Sequence, residues 1–540
     1  MNKPMRPDDL DPPSVGGGDP GALEACFAHL LGEAPARLAR DSAIDPRHAS
    51  LIEAYRVRGY LKARLDPLGL ATTPDVPELD PRRHGLDPTA EQARIATLES
   101  AYCSSIGWDI GHIHDTARRT WLQAQAEALL QRAPSDAERI AILTQLARAH
   151  AFEEGLRTRI PAGKLFGLGG AETFIVLLET LLGESARTGV GEVVVGGMHR
   201  GRFNMLATVM GKPLTALVAE IEGKPAVPAG LGVSSDVSYH LGYSGERIIG
   251  GRKLKLSVSA HPSHLQLIPV ISQGRARAKQ SLAGGLGHHA VLPLLLHTDA
   301  SFAGQGLVAE MLQLSGLAPF DIGGTIHIVI NNQVGFTTTP GEGRSARHAT
   351  DIARLIEAPV LHVNGDDPEA VDRVARVAAA YRAEFGGDIL IDLVCYRRPG
   401  HNEIDEPRFT HPVMYQAIDA RPPVHQLYAD TLAKRGLDTS PADVAAAQVA
   451  QDMRNAFAAA KSYQVNHADW FEDRWSGLSS GSEADLLAVT ATGLARDTLR
   501  ELGRTLTAIP QGMAIDPKVA RFLDERRSAI ETGEGITWAT

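Results

Sequence analysis

Cysteine and long apolar runs are both scarce in this chain. Only three cysteines occur among 540 residues, and Cys26, Cys103 and Cys395 lie far apart. That spacing excludes a disulfide framework and a cysteine-based zinc site. No apolar run reaches the roughly 18 residues that a membrane span needs, and the N-terminal residues resemble neither a signal peptide nor a transit peptide. We therefore expect a reduced, soluble, cytoplasmic protein with no membrane contact.

Clusters of basic residues are absent too. The chain has 54 Lys+Arg against 64 Asp+Glu, a net charge of −10, and no block of lysine or arginine. Binding to a phosphate backbone is therefore not its main task, and we expect no nucleic-acid partner. Hydrophobic residues make up 44% of the chain, which is enough for substantial buried cores, and 540 residues allow several domains.

The residue pattern changes along the chain and predicts four regions. Residues 1–45 are rich in proline, aspartate and glycine, which is typical of a mobile arm. Residues 46–150 show helical apolar spacing throughout, with Ser135 as a predicted helix cap. Residues 151–420 predict an α/β domain, and residues 421–540 predict a helical linker.

Five short apolar runs lie between helical patterns in the α/β region. They lack polar alternation, as expected for strands that are covered on both faces. Strands that alternate with helices predict an α/β fold with a doubly wound, mostly parallel sheet. One of the helices is predicted to begin at Pro368, with Asp366 and Asp367 as cap candidates. The predicted strands are 192–197, 290–297, 325–330, 359–363 and 389–395.

Polar side chains follow two of these strands. Asp299 comes just after the second, and Asn332 comes just after the third, about one strand–helix–strand unit later. Ligands bind at the carboxyl ends of strands in open parallel sheets, and carboxylate and amide oxygens suit a magnesium ion that also holds a phosphate. In a simpler interpretation, Asp299 caps the following helix and Asn332 forms a turn. The spacing alone leaves both interpretations open.

The sequence motifs around these residues are more specific than the spacing. The pair formed by Asp299 and the segment NQVGFTT (332–338) resembles the diphosphate and magnesium motif of thiamine-diphosphate enzymes. Six further segments are similar to the dehydrogenase (first) component of 2-oxoglutarate dehydrogenase complexes, and the resemblance runs from about residue 50 to the C-terminus. It implies the thiamine-diphosphate-binding fold, diphosphate domain. The segments are AYRVRGYLKARLDPLGL (54–70), MHRGRFNML (198–206), DVSYHLGYS (236–244), HPSHL (261–265), VNGDDPEAV (363–371) and DLVCYRRPGHNEIDEP (392–407).

The resemblance implies a cofactor site that holds thiamine diphosphate and Mg²⁺. Asp299, Asn332 and the carbonyl of Val334 match the family positions that bind the magnesium ion. Arg200 matches the position that contacts the cofactor diphosphate, a task that suits its planar set of donors.

The resemblance also implies a substrate site with two catalytic histidines. His199, in the HRGR segment, and His240, in the YHLG segment, match residues that line this site, and Ser244 matches a position near the distal part of the substrate. Histidine can bind a carboxylate and can move protons near neutral pH. For His401, a catalytic role and a structural role, in which His401 and Glu403 hold a strand-end loop by hydrogen bonds, both stay open.

The implied reaction is the oxidative decarboxylation of a 2-oxo acid, with transfer of the acyl group to a lipoyl acyltransferase partner. 2-Oxoglutarate is the expected substrate, and 2-oxoadipate is an alternative. Family members continue into a pyrimidine-binding domain, whereas this sequence ends near Trp538. We therefore expect one part of a split component in a homo- or hetero-oligomer, with the pyrimidine domain on a partner chain or protomer. A non-catalytic paralogue that only associates with dehydrogenase components is the alternative.

Some positions depart from the family pattern. Thr298 stands where the family has glycine, which predicts local strain or a shifted diphosphate, and His261 replaces an asparagine. Cys395, inside an apolar strand, is predicted to be a core residue. Arg397 and Arg398 are predicted to pair with the acids that follow them, Glu403, Asp405 or Glu406.

Overall fold

The computed structural model describes residues 45–128, 133–227, 235–465, 481–489 and 491–540. The predicted mobile arm, apart from its last residue, lies outside this part of the chain. The described residues fall into two compact units, one within 45–465 and one within 481–540. No helix among them is long and apolar enough to cross a membrane.

The first unit contains an eight-stranded, mostly parallel sheet in the order β1-β7-β8-β6-β5-β2-β4-β3. Pairs β1–β7 and β3–β4 are antiparallel, and the remaining neighbours are parallel. The predicted α/β fold with a mostly parallel sheet is therefore confirmed. The strands are β1 (Ile106–Asp109), β2 (Glu192–Gly197), β3 (Tyr243–Ile249), β4 (Arg252–Val258), β5 (Val291–Thr298), β6 (Ile326–Asn331), β7 (Val360–Asn364) and β8 (Ile389–Val394).

All five predicted strands are present, within one residue of their predicted bounds, as β2, β5, β6, β7 and β8. The prediction of a purely helical region before residue 150 is wrong, because β1 extends the sheet there. Four residues are too few to show a strand pattern. The β3–β4 hairpin was not predicted. Exposed and half-buried residues alternate in β3, so it lacks the unbroken apolar run by which the other strands were identified, and its turn is formed by Gly250 and Gly251.

Helices cover the sheet and continue beyond it. The predicted caps are confirmed, since Ser135 Oγ accepts from the Glu138 N–H at 3.3 Å and Asp367 Oδ1 accepts from the Ala370 N–H at 3.0 Å. The main helices of the first unit are Pro46–Arg58, Gln92–Tyr102, Thr116–Ala128, Asp136–Arg159, Thr173–Arg187, Leu214–Ile221, Leu267–Leu282, Asp299–Gly304, Gly306–Leu314, Pro368–Phe385, Pro412–Ala420, Val424–Lys434 and Ser440–Ala460.

The core of the first unit lies between the sheet and these helices. Every residue of β6 and β8 is buried, as the unbroken apolar runs predict for strands covered on both faces. Helix Thr173–Arg187 packs against helix Pro368–Phe385 over the sheet, and helix Ser440–Ala460 packs against helix Asp136–Arg159. The polar ends of the strands are therefore fixed by a rigid apolar layer.

The second unit is helical in its described part. Its helices are Glu483–Leu487, Arg496–Thr507 and Pro517–Thr532. The last two pack closely at Gly503, where a Cβ atom would lie 2.5 Å from Ile530 Cγ2. Arg527 Nη2 donates to the Thr507 carbonyl at 2.8 Å and joins the same two helices.

The end of β2 requires glycine at position 197. Gly197 has φ +140°, and a Cβ atom there would lie 2.1 Å from the Leu296 carbonyl oxygen of neighbouring β5. We predict that Gly197→Ala lowers the free energy of unfolding by at least about 2 kcal/mol, because both the strain and the backbone clash are unavoidable. Urea unfolding followed by circular dichroism measures this change.

Gly183 provides the matched control. It lies inside helix Thr173–Arg187, and a Cβ atom there would meet nothing within 4 Å beyond the adjacent backbone of its own helix. Gly183→Ala should leave stability unchanged or raise it by up to about 1 kcal/mol. Equal destabilisation by the two substitutions would contradict the argument for Gly197.

Candidate functional site

A cavity of about 450 Å³ opens at the carboxyl ends of β5 and β6. Asp299 and Asn332 both line it, and both are buried, with 2% and 4% exposure. Parallel pairing sets this arrangement, because Thr298 at the end of β5 lies opposite Ile330 near the end of β6. The side-chain oxygen atoms of the residues that follow two neighbouring strands therefore meet in this cavity, at one edge of the sheet.

The backbone after β6 folds back sharply into the cavity. Asn332 Oδ1 accepts from the Val334 N–H at 3.3 Å, and Gln333 adopts a left-handed φ of +62°. Val334 is buried and lines the same cavity. Asn332 therefore forms a turn, as the simpler interpretation of the sequence predicted, and it also lines the cavity. At the end of β5, Thr298 takes the cap position of the helix that starts at Asp299.

Asp299 is the single carboxylate among the described residues that line the cavity. Burial raises its pKa to about 7, an effect opposed by Arg344 and strengthened by Asp392. The Arg344 Nη1 atom lies 3.7 Å from Asp299 Oδ2. Since Arg344 stays beyond hydrogen-bond distance of Asp299, the buried carboxylate is well placed to receive a metal ion.

Three arginines line the same cavity, Arg200, Arg344 and Arg397. Arg200 donates to the carbonyls of Gly167 at 3.1 Å and His401 at 2.7 Å, which fixes its guanidinium group. Burial and the neighbouring Arg397 lower the pKa of Arg200 to about 10. Since three cations face one carboxylate, the lining favours an anionic ligand.

Several buried polar atoms of the lining have no hydrogen-bond partner in the described part of the chain. They are His199 Nδ1, Gln305 Oε1 and Arg344 Nε. Buried polar groups are nearly always satisfied in folded proteins. These atoms are therefore available to a polar ligand or to ordered water inside the cavity.

His199 and His401 line the cavity, and the rings of Phe166 and His261 lie beside His199. His199 lies 4.2 Å from Phe166, 6.2 Å from His401 and 5.9 Å from His261, measured between ring centroids. Burial, with smaller effects from Arg200 and other histidines, lowers the pKa of His199 to about 3. The imidazole is therefore neutral near pH 7, so it can exchange hydrogen bonds but does not provide a fixed positive charge.

His240 lies farther out. Its ring stacks on His261 with centroids 6.1 Å apart, and it is not among the residues that line the cavity. Its Nδ1 atom lies 3.1 Å from Asp236 Oδ2, and its Nε2 atom lies 3.1 Å from Ser263 Oγ. The ring of His261 contacts the rings of both His199 and His240. His261 is a position where this sequence departs from the family pattern.

Ser244 lies in edge strand β3, opposite Ser257 of β4. It is exposed and does not line the cavity. The first unit therefore brings together the predicted cofactor residues and His199, whereas His240 and Ser244 lie outside the cavity.

Glu403 holds the loop that carries Phe166. Its carboxylate accepts from the backbone N–H groups of Leu165 at 2.7 Å, Phe166 at 3.0 Å and Gly167 at 2.8 Å. Phe166 has a left-handed φ of +50°, which a non-glycine residue rarely adopts. Glu403 thus has a structural role, but the loop that it holds is 165–167 and not the strand-end loop that was expected. His401 lines the cavity beside Arg200.

Thr298, the two arginines of the β8 loop and Cys395 lie near the cavity residues in the sequence. The predicted strain at Thr298 is not found, since its backbone has φ −103° and ψ 146°, open to any residue. Arg397 donates to the Tyr415 hydroxyl and the Phe336 carbonyl, and Arg398 donates to three oxygen atoms, none of them on a carboxylate. The prediction that both arginines pair with the following acids is therefore wrong. Cys395 is fully buried, as predicted.

Sequence patterns did not single out Arg344 or Arg397 as members of the site, and for Gln305 they indicated only backbone N–H groups of a helix start that favour an anion. Gln305 separates two short helices, and Arg344 belongs to a polar segment without periodicity. The nearest signal is the glycine-rich stretch around Gln305, which indicates a helix start at a strand end.

Comparison with known proteins identifies the family of this chain. Residues 183–469 match the model of the family "Dehydrogenase E1 component". The chain belongs to this family. It is 43% identical over 548 aligned residues to the 2-oxoglutarate dehydrogenase E1 component of Brucella ovis and 42% identical to that of Brucella anthropi. Each alignment covers 96% of this chain and 54% of the relative, so the chain spans about half the length of these curated relatives.

We predict that Glu403→Ala lowers the free energy of unfolding by about 2–3 kcal/mol, because three backbone donors lose a charged acceptor. Urea unfolding measures this loss. Glu384→Ala, at an exposed helical position, is the control and should change stability by less than about 0.5 kcal/mol. Similar stabilities for the two variants would show that Glu403 does not hold the loop.

Because of Glu153, which lies next to Gly167, we predict that the free energy of unfolding depends on pH. Burial raises its pKa from 4.5 to about 7, although Asn204 Nδ2 donates to it at 2.9 Å. Between these values the folded chain keeps a proton on Glu153 that the unfolded chain releases, so the contribution of Glu153 to the free energy of unfolding falls as pH rises. The expected fall is about 2–3 kcal/mol. Glu153→Gln should remove it.

Unfolding of both proteins at about pH 5 and about pH 8 measures the difference. Glu154→Gln is the matched control, because Arg157 lowers the pKa of Glu154 instead. This variant should keep the fall in stability between the two pH values. A Glu153→Gln protein with an unchanged pH dependence would rule out Glu153 as its source.

Proposed function

We propose that this chain provides the thiamine-diphosphate and Mg²⁺ binding part of a 2-oxoglutarate dehydrogenase E1 component. The observation that carries the proposal is the meeting of Asp299 and Asn332 in one buried, arginine-lined cavity at the carboxyl ends of β5 and β6. The 43% identity to 2-oxoglutarate dehydrogenase E1 components supports the reaction.

The donor set fits the metal. The Asp299 carboxylate, the Asn332 amide oxygen and the Val334 carbonyl are hard oxygen ligands, which Mg²⁺ prefers. A bound divalent ion favours the ionised form of Asp299, whose pKa burial raises to about 7. The ion would therefore compensate a buried charge that Arg344 reaches only at 3.7 Å.

The cationic lining fits a diphosphate. Arg200 is fixed by two backbone carbonyls, and Arg344 has an unpaired, buried Nε atom. Guanidinium groups bind phosphate oxygens with planar, charge-assisted hydrogen bonds. Arg200 and Arg344 would hold the diphosphate, while Asp299 and Asn332 hold its metal.

Thiamine diphosphate supplies the electron sink for decarboxylation when it is bound. The residues of this chain position the 2-oxo acid. His199, neutral in its buried setting, would exchange hydrogen bonds with the substrate from the cavity wall. His240, held by Asp236 and Ser263, and Ser244 on β3 would bind the distal part of the substrate.

We further propose the partners of this reaction. A pyrimidine-binding domain on another chain or protomer completes the cofactor site, and a lipoyl acyltransferase receives the acyl group. Family membership supports both partners.

Cofactor binding tests the proposal. Calorimetry should show Mg²⁺-dependent binding of thiamine diphosphate to the chain mixed with a pyrimidine-domain partner. Asp299→Ala should weaken it by more than about tenfold, because a charged ligand of the metal is lost. Asp430→Ala, at an exposed helical position, is the control and should bind like the unmodified chain.

Activity of the same mixture gives a second measurement. It should reduce an artificial electron acceptor when 2-oxoglutarate is added, and Asp299→Ala should abolish this reduction. Folded chain that binds no thiamine diphosphate with Mg²⁺ would overturn the proposed cofactor, and binding without turnover of 2-oxoglutarate would overturn the proposed substrate.

A further inference from the structure

A second cluster of metal-ligand residues lies next to the cofactor cavity but outside its lining. It consists of His348, His362 and Asp392, here called the buried histidine cluster. His362 of β7 and Asp392 of β8 are register partners in the sheet, and both are fully buried. His348 directly precedes the helical turn Ala349–Ile356.

The hydrogen bonds of the cluster are incomplete. His362 Nδ1 lies 2.7 Å from Asp392 Oδ2, and Asp392 Oδ1 accepts from Asn331 Nδ2 at 3.1 Å. The Nε2 atoms of His348 and His362 are both buried and have no partner among the described residues. An unsatisfied buried polar atom costs about 1–3 kcal/mol, so the unpaired Nε2 atom of His348 is available to a ligand. The matching atoms of the other two residues are His362 Nδ1 and Asp392 Oδ2, because an ion on His362 Nε2 would lie on the far side of the ring from Asp392.

The rings of His348, His362 and Tyr60 are packed together. The centroids of His348 and His362 are 4.2 Å apart, and Tyr60 stacks on His362 at 5.9 Å. One ligand atom from each of the three residues lies within 4.8 Å of the other two. Ligand atoms of a tetrahedral Zn²⁺, each about 2.0–2.2 Å from the ion, lie roughly 3.3–3.6 Å from one another. Small side-chain adjustments would therefore let these three atoms share one ion.

The charges of the cluster also favour a cation. Burial lowers the pKa of His348 to about 3, so its imidazole is neutral and available as a metal ligand. Burial opposes ionisation of Asp392, but His362 and Asn331 stabilise the carboxylate, and its pKa is lowered. The nearby Asp109 is paired with Arg354 at 2.7 Å. The cluster therefore presents a buried carboxylate beside the neutral imidazole of His348.

We propose that His348, His362 and Asp392 bind one divalent transition-metal ion, with Zn²⁺ as the ion to test. Two imidazole nitrogens and one carboxylate oxygen are ligands that suit Zn²⁺ better than Mg²⁺. The ion ties the segment before residue 349, which includes Arg344, to strands β7 and β8. It thereby fixes the segment that brings Arg344 to Asp299.

The cluster is separate from the proposed magnesium site. Asn331 and Asn332 are consecutive, yet Asn331 donates to Asp392 whereas Asn332 lines the cofactor cavity. The two sites also differ in ligand type, since one offers imidazole nitrogens and the other only oxygens. Substitutions can therefore address each site separately.

Zinc titration of the metal-free chain tests the proposal. Competition with a chromogenic chelator, in excess Mg²⁺, should show one equivalent of tightly bound Zn²⁺. His348→Phe should weaken this binding at least about tenfold, whereas His289→Gln, at an exposed position, should leave it unchanged. Asp299→Ala should also keep zinc binding, so the result does not depend on the cofactor proposal.

Cobalt substitution provides a second measurement if His348→Phe does not fold. Co²⁺ bound to the unmodified chain should give the visible absorption of a four-coordinate site, and folded His348→Gln should lose it. Absence of zinc binding by the folded chain would overturn the proposal. Zinc binding that survives both His348 substitutions, or that is lost only in Asp299→Ala, would also overturn it.

Discussion

The parallel pairing of β5 with β6 is the constraint on which the candidate site depends. Because the two strands run in the same direction, their carboxyl ends meet at one edge, and the residues that follow them have to share the same space. The buried apolar faces of both strands fix this pairing, since a register shift would move apolar side chains out of the core. Asp299 and Asn332 are polar residues held in place by an apolar layer.

Burial has opposite effects on the charged groups at this edge. It raises the pKa of Asp299 and lowers those of Arg200 and His199. Each of these groups is therefore less stable in its charged form than it is in water. A ligand that combines a divalent cation with an anion satisfies both signs of charge, which explains why such a cavity can keep cations and a carboxylate within a few ångströms.

Residue patterns predicted those parts of the molecule whose causes are local. Unbroken apolar runs predicted β2, β5, β6, β7 and β8, because strands covered on both faces leave that signal in the sequence. The β3–β4 hairpin has one exposed face, and its alternation is too weak to identify beforehand. The strand ends predicted that Asp299 and Asn332 would be neighbours, and both line one cavity.

Long-range contacts account for what the residue patterns missed. Arg397 lies near three acids in the sequence, yet its donors reach the Tyr415 hydroxyl and the Phe336 carbonyl. Arg344 approaches Asp299 only because the segment after β6 folds back over the cavity. No spacing rule contains this information, since it depends on where whole segments pack.

The contacts of Glu403 and Arg200 have a consequence for the order of folding. Glu403 binds backbone groups 236–238 residues earlier in the chain, and Arg200 binds a carbonyl 201 residues later. Closing such long loops is slow, because their entropy is lost before the contacts form. During synthesis from the N-terminus, the wall of the cavity stays open until residues 401–403 have left the ribosome. The cavity therefore cannot take its folded form before more than 400 residues of the chain have been synthesised.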